Sequence, residues 1–343
     1  MSIAPQWTVG IAGALVTLCE NADGSPRSRD ELERWLHDHH AVLRAHLLAN
    51  GGVLLRGFAG ELREEAFHAV LDMVGAPMED YVGGSTPRKR LSSRTYTATE
   101  LGGEYSVALH QEMSYLPVAP EAIAFYCARA AQAGGRSVLA DAREVARSLP
   151  NEVLASFGRH GILITRALPP RRSLYLASGI SRPWQDVFGT DHRGAVLDIA
   201  AKRRWQVSWC DDGTLHLKHG ATPAFRSHPK TGEDIWFNQA HYYSPDCMLR
   251  WAVRDGRTLQ EHYLRRLLER GDHEHLNHVT AADGSPLPAK YLLAIWETLV
   301  AAERPVEMTV GDILLLDNYR VMHGRDRFSG ARAMQAGLIA TLG

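Results

Sequence analysis

From about residue 94 onward the chain breaks into short apolar runs separated by Gly, Pro and Asp: AIAFYCARA, RSVLADA, GDILLLDNYRVMHG and RAMQAGLIATLG. Runs of this length, closed by turn formers, read as strands. This texture confines the core to a β architecture. Gly134-Gly135 reads as the turn between AIAFYCARA and RSVLADA. Helical stretches interrupt the pattern: one around 142–158, then PDCMLRWAVRDGRTLQEHYLRRLLERGD and LPAKYLLAIWETLVAAE. Residues 160–235 mix strands with loops and Trp-rich segments, with turn signals at DDG and HPKTG.

The first part of the chain has a different texture. In SRDELERWLHDHHAVLRAHLLANGG, Leu32, Trp35, Leu36, Leu43 and Leu47 recur at helical spacing. Ser28 and Glu31 match a capping box, and Gly51-Gly52 supplies the stop. VLLRGF is then a short buried strand, and REEAFHAVLDMVG a second amphipathic helix. There is no internal repeat and no low-complexity linker. The expectation is one domain over 1–343. Residues 1–93 form an α/β cover, and 94–343 a mainly β core with an insertion at about 140–300.

Composition excludes several partners. Among 343 residues, 38 are basic and 39 acidic, a net charge of −1, so no basic field favours nucleic acid or an anionic membrane. The four cysteines are far apart and none forms a CxxC pair, a reduced pattern. The run VGIAGALVTLC is too short to span a bilayer, and the first basic residue is Arg27, which argues against a signal peptide. A cytoplasmic location is expected.

The chemistry is concentrated in ALHQEMSYLP. With 17 histidines and 39 acidic residues, about two His-x-Asp/Glu pairs are expected by chance, and His110-Gln111-Glu112 is the one present. The pair by itself is equally a surface polar pair, so its partners decide. In a strand, residues i and i+2 share a face, which would aim His110 and Glu112 at one point. A neutral nitrogen and a carboxylate suit a divalent transition metal, and DNYRVMHGR offers His323 on a later strand as third donor. Two histidines and one carboxylate on one face leave open positions, the arrangement of non-haem iron(II) oxygenases. There a 2-oxo acid and dioxygen take the open sites. Arg332, nine residues beyond His323 in RFSGARAMQAG, is a fixed cation suited to the distal carboxylate of 2-oxoglutarate. Ser137 in GGRSVLAD is a candidate second donor to that carboxylate.

Three runs in order, LHQEMSY…FYCARAAQAGGRSVLADAR, HPKTGEDIWFNQAHY and LLLDNYRVMHGRDRFSGARA, resemble the taurine dioxygenase-like (TauD/TfdA) iron(II)- and 2-oxoglutarate-dependent oxygenases over roughly residues 50–340. The resemblance implies a double-stranded β-helix (jelly-roll, cupin-like) core with helical insertions. It implies His110, Glu112 and His323 as iron ligands, Arg332 and Ser137 as 2-oxoglutarate contacts, and dioxygen as co-substrate. Three departures stand out. The carboxylate ligand is Glu where most of the family has Asp, which is more similar to clavaminate synthase-like and syringomycin-type amino-acid hydroxylases. Arg136-Ser137 replaces an acidic-Thr pair. Ala336 stands where taurine dioxygenase has a second arginine for its sulfonate, so taurine is not the expected substrate.

The expected reaction is hydroxylation of an aliphatic C–H of an amino-acid-like substrate, free or presented on a carrier protein, with release of succinate and carbon dioxide. Glu104, an even number of residues before His110, is a candidate for the substrate ammonium. Arg94, Arg325 and Asn238 are candidates for its carboxylate. Two alternatives from other classes remain: a zinc hydrolase on the same donors, which would not need Arg332, and a non-catalytic member of the fold, which would show a broken triad. Desaturation, cyclisation or epimerisation on the same scaffold also stays open. The His clusters HDHH (His37, His39, His40) and GDHEHLNH (His273, His275, His278) read as solvated surface, as do the basic loops TPRKR and PPRRS.

Overall fold

A computed structural model describes residues 6–21, 26, 28–78, 89–272 and 274–343. Strands β1 (Gln6–Ile11) and β2 (Val16–Glu20) pair antiparallel, and helix α1 (Arg29–Asn50) carries the chain to β3 (Gly52–Arg56), parallel to β2. Ser28 caps α1 by accepting the Glu31 N–H at 3.2 Å, and Gly51 ends it in left-handed backbone at φ 104°. Next come α2 (Glu64–Val74), β4 (Gly75–Pro77), β5 (Thr95–Thr97), β6 (Val107–His110), β7 (Ala122–Arg129), β8 (Ala133–Gly134) and β9 (Ser137–Asp141). The helix expected over 142–158 is two, α3 (Ala142–Ser148) and α4 (Asn151–His160). Pro150 breaks them apart, forcing Leu149 into extended backbone.

The insertion continues through β10 (Ile162–Leu168), α5 (Trp184–Phe188), α6 (Arg193–Lys202), β11 (Gln206–Trp209), β12 (Leu215–Lys218), β13 (Phe225–Ser227) and β14 (Asp234–Trp236). It ends with α7 (Ala240–Tyr243), α8 (Pro245–Asp255), α9 (Thr258–Glu269), β15 (His278–Ala281) and α10 (Ala289–Ala302). Its own sheet runs β11-β12-β10-β15. The chain then returns to the core with β16 (Arg304–Val306), β17 (Ile313–Asp317), β18 (Val321–Arg325), β19 (Phe328–Ser329) and β20 (Ala333–Leu342).

Two sheets make the core, a major one ordered β1-β2-β3-β17-β7-β20-β4 with β5 also on β20, and a minor one ordered β16-β9-β18-β6. The central strands of the major sheet, β3, β17 and β7, are largely buried on both faces, which explains why VLLR, ILLLD and AIAFYCA are near-continuous apolar runs. Successive residues alternate between two cores. Leu55, Ala124, Ile313 and Leu315 pack beneath α1 and α2, while Leu54, Ile123, Leu314 and Leu316 face the other way, into the larger core. The two sheets enclose a cavity lined by Phe125 and Met334 from one and Leu139 and His323 from the other. This is the double-stranded β-helix. The N-terminal segment is thus more than a cover, because β1, β2 and β3 are strands of the major sheet itself.

Gly134-Gly135 does not close a hairpin. β7 belongs to the major sheet and β9 to the minor one, so the chain crosses between sheets there, and β8 pairs instead with β19. A Cβ on Gly134 would meet the Arg327 carbonyl oxygen at 2.2 Å, and its φ is +68°, so the position demands glycine for a crossover rather than a tight turn.

Leu315, 3% exposed, has no room to relax beneath α1 and α2. Leu315→Ala is expected to cost about 2–5 kcal/mol in urea unfolding. Val118→Ala, at a position 73% exposed, should stay within about 0.5 kcal/mol of the parent.

Candidate metal centre

His110 ends β6 and sits directly across from His323 on β18, with ring centroids 4.4 Å apart. The pairing of β18 with β6 is irregular: His323 faces His110, but Arg325 faces Val107, three residues away on β6. The extra residue on β6 is a bulge. It lets Val107 and His110 line the same cavity, although a regular strand would turn them to opposite faces. Gly324 permits the close approach, since a Cβ there would lie 2.3 Å from the Val107 carbonyl oxygen.

Glu112 reaches the same point by a different route from the expected one. The strand stops at His110, and Glu112 lies in a turn completed by Met113 at φ 56°. Side-chain amides hold that turn. Asn318 accepts the Glu112 N–H at 2.7 Å and donates to the carbonyls of Glu112 and Pro120 at 3.0 and 2.8 Å. Gln111 donates to Trp236 O at 2.6 Å, and Gln239 donates to Gln111 O at 2.7 Å. His241 donates to Leu109 O at 2.7 Å. Sequence reasoning gives Asn318, Gln239 and His241 no such bracketing role. The available signal was position: DNYR immediately precedes the His323 strand, and WFNQAH is the other polar run bounded by buried aromatics.

The donor atoms of His110, Glu112 and His323 lie within 4.8 Å of one another, the one such His/Cys/Asp/Glu group among the described residues. His323 Nε2 is 3.8 Å from a Glu112 carboxylate oxygen. Neither ring nitrogen of His323 has a hydrogen-bond partner although both are buried. An orphaned imidazole costs free energy unless something outside the chain meets it. His110 Nδ1 faces its own strand, 2.9 Å from Ala108 O, which leaves Nε2 for the cavity. These donors fit a divalent transition metal. Bonds of about 2.1 Å imply that one ion would draw the three side chains together.

Arg332 and Ser137 line the same cavity of about 50 Å³, beside His110 and His323. Arg332 donates to Gly135 O at 3.2 Å and lies 5.7 Å from the Phe328 ring; among the described residues no carboxylate pairs with it. Burial pushes its guanidinium below the ordinary value. Burial, then repulsion from Arg332, pushes Arg325 down to about 10. A buried guanidinium beside a half-buried one favours an anion between the sheets. Nearby Cys127 supplies none, because burial pushes its thiol up to about 11. The Ser137 hydroxyl donates to the Met308 sulfur at 3.6 Å, a weak contact.

The substrate candidates fare unevenly. Arg325 lines the cavity and also pins Leu101, Gly102 and Tyr105 through their carbonyls at 3.2, 3.0 and 2.6 Å. Glu104 is exposed in a turn ahead of β6, because the strand begins only at Val107 and parity with His110 is lost. Arg94 sits elsewhere, paired with Asp72 at 2.7 Å and donating to Leu71 O and Gly75 O, so it closes the end of α2. Asn238 is wholly buried in its own loop, donating to Ala224 O and accepting from Ala240 N–H. Neither Arg94 nor Asn238 lines the cavity beside His110 and His323. Of the other clusters, His275 is paired with Asp272 and Asp212, and Arg171 of PPRRS with Asp186 and Asp191. His273 and Thr86–Arg88 of TPRKR lie outside the described residues.

Residues 21–338 match the family described as "Taurine catabolism dioxygenase TauD, TfdA family". The chain belongs to that family. It is accordingly a dioxygenase, with iron(II) as metal and 2-oxoglutarate and dioxygen as co-substrates, and its substrate is a small molecule. Among its relatives is the dapdiamide synthesis protein DdaC of Enterobacter agglomerans, 29% identical over 330 residues, covering 96% of this chain and 92% of the relative. A clavaminate synthase-like protein of Arabidopsis thaliana is 26% identical over 292 residues, covering 84% and 81%. The fold is similar to that of PvcB from Pseudomonas aeruginosa, with a TM-score of 0.52 at 16% identity, covering 99% of this chain and 92% of PvcB. No helix among the described residues is long and apolar enough to cross a membrane.

Two buried histidines, His241 and His219, make stability pH-dependent. Burial pushes His241 down to about 4, and its Nδ1 has no partner to receive a proton's N–H. Burial, and then the charge of Arg166, hold His219 well below 6.5. Both are neutral when folded and charge near 6.5 when unfolded, so acid favours the unfolded chain. Their contribution is complete above about pH 7 and is lost as pH falls from about 6.5 toward 4. Urea midpoints should drop between pH 7 and pH 5, and His241→Gln should make that drop shallower.

Proposed function

We propose that His110, Glu112 and His323 hold the iron, that Arg332 binds the distal carboxylate of 2-oxoglutarate with Ser137 as a lesser donor, and that the enzyme hydroxylates an aliphatic C–H of an amino-acid-derived substrate, free or carrier-presented. The observation that carries this reading is that His110 and His323 line one small cavity with the half-buried Arg332, while the donor atoms of His110, Glu112 and His323 lie within 4.8 Å of one another. The bound metal would supply the oxidising chemistry and the co-substrate its two electrons. The chain's own residues bind and orient. Main-chain brackets at Asn318, Gln239 and His241 fix the donors, Phe125 and Leu139 keep the cavity walls apolar, and Arg332 sets the direction of the co-substrate.

Two observations support the amino-acid assignment. Glu112 stands in the carboxylate position, as in the amino-acid hydroxylases that the motif resembles, and a protein ligand there leaves no vacancy for halide. Ala336 is wholly buried in β20, paired with Phe125 and Tyr96, so no cation stands there to meet a sulfonate. The relatives' names, dapdiamide synthesis and an isonitrile synthetic pathway, support a role in making a specialised small molecule. We infer a reducing, cytoplasmic location from four free cysteines set far apart in the chain.

Anaerobic Fe(II) with 2-oxoglutarate should give a weak visible charge-transfer band, absent from His110→Ala and Glu112→Ala, with both variants folded. A normal band in both would identify other ligands. Arg332→Leu removes one partner of a desolvated ion pair, worth about 2–5 kcal/mol. 2-Oxoglutarate affinity should fall about 30- to 3000-fold while metal affinity barely changes. A succinate-release screen of amino acids, free and carrier-loaded, should yield a product heavier by one oxygen atom and no stimulation by taurine.

A further inference from the structure

The hairpin of β13 and β14 belongs to neither core sheet and forms a two-stranded sheet of its own. Such a hairpin is marginal by itself. Trp236 anchors this one: it is wholly buried in the larger core, its ring centroid 5.5 Å from that of Phe157 and 5.3 Å from that of Phe225. The turn between the strands is HPKTG, His228–Gly232. It is closed by the Gly232 N–H donating to His228 O at 2.8 Å, with Gly232 at φ +70°.

Three hydrogen bonds run between this hairpin and the loops that place Glu112. Trp236 O accepts from Gln111, the residue before Glu112, at 2.6 Å. Arg226 donates to Ser114 O, two residues after Glu112, at 2.7 Å, and its guanidinium lies 4.9 Å from the Phe237 ring centroid. His228 Nε2 meets one Asp317 carboxylate oxygen at 2.7 Å, and the other oxygen accepts the Tyr319 and Arg320 N–H groups. The residue between them is Asn318, which brackets Glu112. His228 is set for this contact by its own turn. Its Nδ1 accepts the N–H groups of Lys230 and Thr231 at 3.1 and 3.2 Å, so the ring proton sits on Nε2 and is aimed at Asp317. The pair is buried, His228 being 4% and Asp317 1% exposed. Without the imidazole, a buried carboxylate oxygen would lose its donor, which is costly away from water. Lys230 gives the turn a second grip, 3.2 Å from Glu121, whose carbonyl accepts the Asn318 N–H at 3.0 Å. Tyr319 stacks on Phe237, next after β14, at 4.5 Å.

We propose that the β13–β14 hairpin braces the metal-binding carboxylate, and that His228 is a positioning residue acting through Asp317 and Asn318 on Glu112. The proposal rests on the reading of Glu112 as a metal ligand. No residue of the hairpin lines the cavity beside His110 and His323, so its influence reaches the site only through the two loops. The histidines have a sheet ladder to hold them, whereas Glu112 sits in a turn. A carboxylate donor placed that way depends on outer hydrogen bonds for its direction, and metal affinity depends on that direction. The brace grips the chain on both sides of Glu112 and on both sides of Asn318.

The test is an anaerobic titration of the full chain with Co(II), whose visible bands report ligand geometry and need no turnover. His228→Ala should weaken Co(II) binding about tenfold and shift the bands. His228→Gln, whose amide N–H can reach Asp317, should recover part of the affinity. Arg226→Met, which releases Ser114, should act in the same direction as His228→Ala. Leu264→Ala, in the separate small core of α8 and α9, should lower the urea midpoint yet leave Co(II) affinity and bands unchanged. Unchanged affinity and bands in both His228→Ala and Arg226→Met would overturn the proposal. An equal loss in Leu264→Ala would do the same, since the effect would then be general loosening. If His228→Ala does not fold, Arg226→Met decides. Glu112→Ala separates the two readings. Normal Co(II) binding in that variant removes the ligand assignment, whereas a loss there with none in His228→Ala and Arg226→Met removes the brace alone.

Discussion

Asn318 ties three backbone groups together with one carboxamide: the N–H and carbonyl of Glu112 and the carbonyl of Pro120. The residue is wholly buried, so each bond it makes replaces one that water would otherwise supply. Glu112 lies outside any strand, and without this bracket its turn would have no ladder to set its direction. The Asp317 carboxylate organises the same loop from the other side, accepting from the Tyr319 and Arg320 N–H groups and from His228. One short loop between β17 and β18 therefore sets both the glutamate turn and the start of the strand that bears His323.

The two histidines are placed differently, by sheet pairing. The bulge opposite Gly324 brings His110 into line with His323 and rotates Val107 onto the cavity side. Two donors thus inherit the rigidity of a ladder, and the third inherits that of a side-chain bracket. The cations follow the same division of labour. Arg325 comes from β18 and Arg332 from the residues just ahead of β20, whereas Arg166, Arg182 and Arg257 come from the insertion. On the proposed reading the β core would hold metal and co-substrate, and the insertion, outside the β13–β14 hairpin, would be the part free to change with the substrate.

Local signals in the sequence translated well where local physics decides. The Ser28 cap, the Gly51 stop and the two N-terminal helices follow from capping and periodicity alone. His110, Glu112 and His323 were recognisable as a donor set, yet the reason offered for Glu112 was mistaken, since the strand ends two residues too early for parity to act. Glu104 failed by the same assumption of an unbroken strand. The apolar runs AIAFYCA and ILLLD mark strands but carry no face information, because both faces are buried. The runs therefore show a turn at Gly134-Gly135 but not that the chain changes sheets there. Arg94 and Asn238 show a further limit: a polar residue type does not reveal whether its bonds are spent on nearby carbonyls.

The strand order has a consequence for biosynthesis. β17 lies between β3 and β7, and β18 lies between β9 and β6, yet both follow almost everything else in chain order. While the ribosome is still making the insertion, β3 and β7 present open edges and bare apolar faces with no partner between them. Such edges invite pairing with other chains. The enclosed insertion sheet, whose strands all lie within residues 162–281, can close earlier. The nascent protein therefore passes through a stage with a closed insertion sheet and an unfinished barrel, and a metal held by His323 would have to wait until β18 has taken its place between β9 and β6.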